Sequence, residues 1–443
     1  MSPEAEAGAS DARPLARARW LDAPESRELL DALEAEGKQA RFVGGCVRDT
    51  LLDPDLDPED LDLATQERPE RLLQRLPLLG FHVVATGLKH GTVTVIRGRR
   101  RYEITTLRRD VACFGRHAEV EFSDDFQEDA ARRDFTINAM SCDRTGRLYD
   151  YFGGREDLFA GRIRFVGEPE QRIREDFLRI LRFFRFYARF GRAPAEPAAL
   201  SACRKLAFGL DRLSGERIRG ELERLLQAPG AVAALRLMVE SEVGARIFPV
   251  APDLERLERL RALAPAADWL LCTAALLRGR LDEAGALRFA ARLRLSNRER
   301  DRLSALLTAE LPDPRAPRGV HERLAYRLGL ALWADLLRLA AVERGTDPAL
   351  LETRLRELAG FVPPRFPLGG RDLLARGIPT GPRVGRLLEA VRRWWEDEGF
   401  RPDRAACLAR LDALLAAESA GQENAASAGR TVSREDRERR AEG

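Results

Sequence analysis

Along residues 40–166 the apolar positions fall in short runs separated by polar and Gly-rich breaks, whereas from about residue 167 onward they recur at three- and four-residue spacing. The first pattern predicts strands over 41–43, 60–64, 82–85, 92–96, 102–106, 136–142 and 163–166, with helices over 26–36 and 69–79. The second predicts a long helix over 175–191 and further helices over 216–226, 231–241, 266–277, 284–293, 298–307, 319–328 and 333–342. Residues 107–127 are polar, contain Gly115 and show little periodicity; the stretch is too long for a tight hairpin and predicts a mobile loop. Pro363, Pro364 and Pro367 mark a break, after which a helix starts near Arg371, turns over 377–382 and resumes to Trp395. The fold class expected is α+β, a small mixed-sheet head followed by an all-α remainder. The divisions expected are a disordered 1–20, a head over 21–166, helical segments over 167–230, 231–362 and 363–417, and a disordered 418–443.

A chain of 443 residues exceeds one ordinary core, so two to four structural units are expected. The 74 Lys and Arg against 71 Asp and Glu leave a net charge of +3. Bulk charge therefore neither demands nor excludes a polyanionic partner, and any RNA-binding surface must be local. Six cysteines without a Cys-X-X-Cys pair argue against a zinc site or a disulfide framework and fit a reducing compartment. The first 20 residues lack an apolar core, Glu4, Glu6 and Asp11 argue against a mitochondrial presequence, and no 18-residue apolar run follows. A cytoplasmic protein that does not enter the membrane is expected; the sequence sets no oligomeric state.

Candidate chemistry concentrates in 43–65, VGGCVRDTLLDPDLDPEDLDLAT. A strand running into Gly44-Gly45 and then a short helix gathers backbone amides at a helix start, a cradle for phosphate, and Arg48 lies one turn inside the helix, within reach of the same anion. Asp60 and Asp62, two apart on a strand, share a face while Leu61 and Leu63 point into the core. Two such carboxylates can hold two Mg²⁺ ions roughly 3.5–4 Å apart, the arrangement that clamps attacking and leaving oxygens in phosphoryl transfer. Glu103, in a strand able to pair beside that of Asp60, is a third carboxylate at the metal centre or an outward-facing strand residue.

Downstream, AARRDFTINAM places Arg133 for a phosphate or ribose and Asn138 for a sugar hydroxyl, with Arg132 read as a solvated helix end. In the 175–191 helix, Arg179, Arg182, Arg185 and Arg189 form one basic stripe with Asp176 one turn upstream, and the aromatic residues between them are read as core. Asp176 is an obligate acceptor and Arg179 an obligate donor. Cytosine and adenine present an exocyclic amino donor beside an unprotonated ring nitrogen, whereas uracil and guanine present a carbonyl beside a ring N–H. The pair would therefore accept C and A and leave buried polar groups unpaired against U and G.

In combination GGCVRD, DLDLAT, TGLKHGTVTV, ITTLRRDV with GRHAEVEF, RRDFTINAM, YDYFGGREDL, EDFLRILRFFRF and GERIRGELERLL resemble the CCA-adding tRNA nucleotidyltransferases of the bacterial and eukaryotic type, which share their architecture with bacterial poly(A) polymerases. The resemblance covers most of 40–230 and returns at about 366–397. It implies a head, neck, body and tail. It further implies Mg²⁺ on Asp60 and Asp62, triphosphate on Gly45 and Arg48, and phosphate or ribose on Arg133 and Asn138. Asp176 and Arg179 would select CTP and ATP with Arg182 and Arg185 in support, and the partner would be the tRNA 3′ end. Residues 107–127 would switch C addition to A addition, although Phe114 stands where relatives commonly carry Asp before GRHA. His321 is the sole histidine after Gly230, so no His-Asp phosphohydrolase domain follows. The alternatives are a poly(A) polymerase, an enzyme adding only CC or only A, and a non-catalytic RNA-binding protein.

Overall fold

Strand pairing at the front of the chain follows from where its apolar alternation starts and stops. In a computed structural model that describes residues 15–88, 91–114 and 117–419, the order is Arg19–Asp22 (α1), Pro24–Glu34 (α2), Ala40–Val43 (β1), Gly45–Leu52 (α3), Asp60–Thr65 (β2), Pro69–Leu78 (α4), His82–Gly87 (β3), Thr92–Arg97 (β4), Arg100–Thr106 (β5), Arg108–Phe114 (β6), His117–Phe122 (β7), Phe126–Ala131 (α5), Ser141–Cys142 (β8) and Leu148–Tyr149 (β9). Seven strands form one sheet in the order β3-β4-β5-β2-β1-β8-β9, parallel only at β2·β5. The sheet is mixed, as expected.

Register decides what meets at its edge. β1 runs antiparallel to β2 with Phe42 opposite Leu63, and antiparallel to β8 with Val43 opposite Ser141. The end of β1 therefore lies beside the start of β2 and beside the residues entering β8. Gly44-Gly45, Asp60 to Asp62 and Asn138 to Met140 are brought to one end of the sheet, and the Gly44 N–H donates to the Met140 carbonyl at 3.3 Å. Parallel pairing sets Asp62 opposite Glu103.

Several expectations need correction. Residues 107–127 are no structureless loop: β6 and β7 pair as a separate antiparallel hairpin, because β-branched and aromatic residues at both ends outweigh the polar composition. The strand expected over 136–142 is a 3₁₀ turn, Thr136–Asn138, followed by β8 alone. At 163–166 only an isolated bridge forms, between Phe135 and Phe165. Within 1–20, residues 1–14 lie outside the described residues, but Leu15 and Trp20 are fully buried and the Trp20 indole N–H donates to Thr50 Oγ1 at 2.9 Å. A helix over 404–419 carries the chain just past residue 418, and 420–443 lie outside the described residues.

Helices follow: Gly154–Ala160 (α6), Pro169–Glu175 (α7), Leu178–Phe190 (α8), Pro197–Leu206 (α9), Gly215–Gln227 (α10), Ala231–Glu240 (α11), Leu254–Leu263 (α12), Trp269–Leu277 (α13), Glu283–Arg292 (α14) and Asn297–Thr308 (α15). The single helix expected over 175–191 is thus two, broken at Asp176, whose backbone is extended at φ −153° and ψ 108°. Along α8 the apolar and aromatic side chains are buried as one stripe. Phe135 meets Phe165 and Phe186 at 4.7 and 5.3 Å between ring centroids, and Phe183 meets Phe184 at 5.2 Å. Each such fully buried side chain contributes about 1.5–3 kcal/mol, so the arginine stripe of α8 is held rigidly over the sheet's edge.

The chain divides into two compact units between Thr308 and Ala309, within the 231–362 segment. The second unit holds Arg318–Leu328 (α16), Leu330–Arg344 (α17), Pro348–Leu358 (α18), Gly370–Leu374 (α19), Pro382–Asp397 (α20) and the 404–419 helix. Its core gathers on Trp395, which meets Phe366, Tyr326 and Phe400 at 5.3, 5.8 and 5.1 Å. Among the described residues no helix is long and apolar enough to cross a membrane.

Candidate active site

A cavity of about 430 Å³ opens in the first unit between the end of β1 and the start of α8. Gly44, Gly45, Arg48, Asp62, Arg133, Asn138, Asp176, Arg179 and Arg182 line it together with Asp134, Leu178, Phe186 and Arg217. Nine of the twelve residues singled out in the sequence share this one space. Asp60, Glu103 and Arg185 do not line it. Its five guanidiniums against three carboxylates favour a ligand carrying several negative charges.

At one end, Gly44 caps α3 with φ 71° and ψ −124°, a conformation L side chains rarely adopt. A Cβ there would lie 3.3 Å from Arg133 Nη1 and 3.7 Å from Asp62 Oδ2, so the glycine leaves the room in which these two groups face the α3 amides. Arg48 is buried. It donates to Asp49 Oδ1 at 2.7 Å and to the Asn138 side-chain oxygen, and its guanidinium lies 4.5 Å from the Phe190 ring centroid. Arg133 is held from behind by Asp129 at 3.1 Å.

Asp60 and Asp62 lie on the solvent face of β2 while Leu61 and Leu63 are buried. Asp62 reaches solvent, yet protein crowds it on its other sides. Burial foremost, then repulsion from Glu103 and Asp60, lifts its carboxyl above the ordinary value against the pull of Arg133 and Arg101. Such a concentration of like charge is what a divalent cation relieves, so the donor set fits a metal. Glu103 shares the face but is drawn to Arg101 at 2.7 Å. Among the described residues no group of three acidic, His or Cys side chains stands ready to hold a metal, and Glu103, opposite Asp62 on the neighbouring strand, is paired to Arg101.

A buried chain of polar groups runs from this end to the other. The Asn138 amide donates to Asp134 Oδ1 at 2.9 Å, and Arg182 Nε donates to Asp134 Oδ2 at 2.6 Å. Burial alone would raise the Asp134 carboxyl, but Arg182 and the Asn138 amide hold it below the ordinary value. Asn138 therefore bridges Arg48 to Asp134 while also lining the cavity. Arg132, read as solvated, is half-buried on Asp129 at 2.6 Å. Arg185 turns from the cavity to the buried Glu221 and lies 4.0 Å from the Phe186 ring centroid.

At the far end Asp176 and Arg179 both line the cavity without pairing to each other. Asp176 precedes α8 and accepts the Leu178 N–H at 3.1 Å. Arg217 grips it with two hydrogen bonds, Nη1 to Oδ1 at 3.1 Å and Nη2 to Oδ2 at 2.7 Å. Arg179 is anchored on Glu175 and on the Arg172 carbonyl, the latter at 2.8 Å. Sequence reasoning missed Asp134, Arg217 and Glu221. Their signal was the i, i+4 spacing of Arg217 and Glu221 on the inner face of α10 and the polar run RRD before an apolar segment.

A cradle for anions and a polar far end in one cavity, which the carboxylate edge of β2 reaches through Asp62, are the features of a nucleotide-handling enzyme of the nucleotidyltransferase class. The poly(A) polymerase head-domain model matches residues 40–164, and the model described as the probable RNA- and SrmB-binding site of polymerase A matches 195–254. The mitochondrial CCA tRNA nucleotidyltransferase 1 of Danio rerio is 36% identical over 86% of this chain and 89% of its own length. The CCA-adding enzyme of Geobacillus stearothermophilus is 34% identical over 83% and 91%. The crystal structure of the Bacillus stearothermophilus CCA-adding enzyme in complex with CTP superimposes with a TM-score of 0.73 at 30% identity, covering 90% of this chain and 100% of that one. The chain belongs to the CCA-adding tRNA nucleotidyltransferase family. Nucleotidyltransferases of this kind generally use divalent metal ions.

Proposed function

We propose that this protein adds CMP and AMP, from CTP and ATP, to the 3′ end of tRNA without a nucleic-acid template. The observation that carries this reading is the single cavity with Gly44, Arg48 and Asp62 at one end and Asp176 and Arg179 at the other. Its volume of about 430 Å³ falls within the 300–1,000 Å³ typical of small-molecule sites.

Mg²⁺ would be held by Asp60 and Asp62 and, when bound, supplies Lewis acidity at the reacting phosphate. The chain's own residues do the rest. The α3 amides and Arg48 hold the triphosphate, and Arg133 draws charge off the departing pyrophosphate. The Asn138–Asp134–Arg182 chain keeps Arg48 and α8 in fixed relation. Asp176 accepts from the exocyclic amino group of cytosine or adenine while Arg179 donates to the ring nitrogen. Residues 21–166 act as head and 167–230 as neck, with body and tail over 231–362 and 363–417. The reading includes a cytoplasmic compartment; recovery of tagged protein in an organelle fraction would overturn that assignment.

Radiolabelled CTP or ATP offered with tRNA ending before, within or at the end of CCA distinguishes full CCA addition from CC-only, A-only and poly(A) synthesis. Stepwise C, C and A incorporation that ceases at the complete end is expected. An A-tract grown from any 3′ end would favour the polyadenylating alternative. Asp60→Ala should abolish incorporation with folding intact, and normal turnover in that variant would refute the metal assignment.

A further inference from the structure

A second cavity, of about 490 Å³, lies between α8, α11 and α12, with Tyr187 in its wall. It shares no lining residue with the first, although Phe186, the neighbour of Tyr187, faces that one. Tyr187 is only 7% exposed, and its ring is held over Gly191, where a Cβ would fall 2.4 Å from Cδ2. Burial alone acts on the phenol, and among the described residues nothing hydrogen-bonds the hydroxyl. A hydroxyl so deeply seated is costly to leave without a partner. The rest of the wall is polarised. Arg261 donates to the carbonyls of Leu226 and Ala228 at 3.5 and 3.3 Å, just ahead of α11, so its guanidinium lies at the start of that helix. Val232 and Ala233 line the cavity in the first turn of α11, where Gly230 at the N-cap has no side chain to satisfy their amides and the helix dipole is positive. Arg236 follows one turn on, and Leu237 beside it is apolar. Glu240 closes the helix about 12 Å along its axis from Val232, and Glu258 lines the wall from α12. Among the described residues the side chains of Arg236, Glu240 and Glu258 have no ion-pair or hydrogen-bond partner.

We propose that this cavity is a second nucleotide site, which takes a nucleoside monophosphate with an amino-bearing base, such as AMP. The phosphate lies at the start of α11 against Arg236 and Arg261. The exocyclic amino group donates to the carboxylates of Glu240 and Glu258, and the Tyr187 hydroxyl meets the ribose between them. The separation of the two charged ends decides the ligand class. An α-amino acid carries its ammonium and carboxylate on one carbon and cannot span them, and a fatty anion brings no donor to the carboxylates. The cavity volume suits a single nucleotide. Neither Asp176 nor Arg179 belongs to this site, and it takes no part in the transfer chemistry.

Calorimetric titration of AMP into the full-length protein, with CTP saturating and no tRNA present, tests this. Binding of one AMP per chain is expected even though CTP fills the first cavity. Tyr187→Phe removes one hydroxyl and should weaken AMP about 2- to 10-fold, and Arg236→Glu, which reverses a charge at the phosphate end, about 10- to 100-fold. Neither substitution should change the affinity for CTP measured without AMP. UMP offers a carbonyl where AMP offers the amino group, so it should bind more weakly, and ribose 5-phosphate more weakly still. Thermal melting checks folding; Arg236 is exposed on its helix, so Arg236→Glu carries the test if Tyr187→Phe unfolds. AMP binding that vanishes when CTP saturates would overturn the proposal, as would wild-type AMP affinity in the folded Arg236→Glu protein. UMP binding as tight as that of AMP would overturn the assignment of the acidic end to an amino-bearing base.

Discussion

A carboxylate that is partly buried, and then crowded by Glu103 and Asp60, is harder to ionise, and at Asp62 this has an effect on stability whose sign is defined. The folded-state value lies above the unfolded one, so between the two the folded state binds more protons and stability falls as pH rises. At neutral pH the ionised Asp62 therefore works against folding. Asp62→Asn should melt at higher temperature than wild type in the presence of a chelator while losing nucleotide incorporation. The gap should close as pH is lowered through the raised value. A lower melting temperature for the variant would show that the crowding carries no cost. Asp134 behaves oppositely: its lowered value adds stability above the ordinary carboxylate range that is lost as pH falls through the folded value. Gly44→Ala would force a side chain into a positive-φ backbone and 3.3 Å from Arg133. A cost of about 1–3 kcal/mol is expected, seen in denaturant unfolding, with a larger proportional loss of incorporation because Arg133 and Asp62 must move.

The break between α7 and α8 is the element on which the base-facing end depends. Had the chain continued as one helix, Asp176 would lie on the helix face beside Arg179. The extended residue instead lifts its carboxylate to Arg217. Phe177, the next residue, is seated on Gly209, where a Cβ would lie only 1.9 Å from its ring. Gly209→Ala should overpack this contact at about 1–3 kcal/mol and, by displacing the Asp176 turn, raise KM for both nucleotides. Urea unfolding together with CTP and ATP kinetics checks it; a variant that loses stability but keeps wild-type KM would show that the seat is structural only.

At the scale of the whole chain, the described candidate site lies entirely within the first compact unit, and the second has its own core around Trp395. Trp395→Ala should cost that core about 3–5 kcal/mol and leave CTP binding unchanged, measured by denaturant unfolding and by titration of CTP. Weakened CTP binding would show that the nucleotide site depends on the second unit. Much of the first unit was legible in the residues themselves. The alternation around Asp60 and Asp62, the Gly-Gly turn into α3 and the 3.6-residue periodicity of the later helices are local patterns, and local backbone sterics with apolar burial dictate them. The sequence also placed acid and base one turn apart near α8, and so the chemistry of base choice. What it could not determine was who partners whom. The antiparallel register that seats Gly44 beside Asp62 and Asn138, and the hold of Arg217 on Asp176, join residues distant along the chain. Such pairings are set by packing between elements and by the need of buried charges for partners, which exist only once the chain has folded.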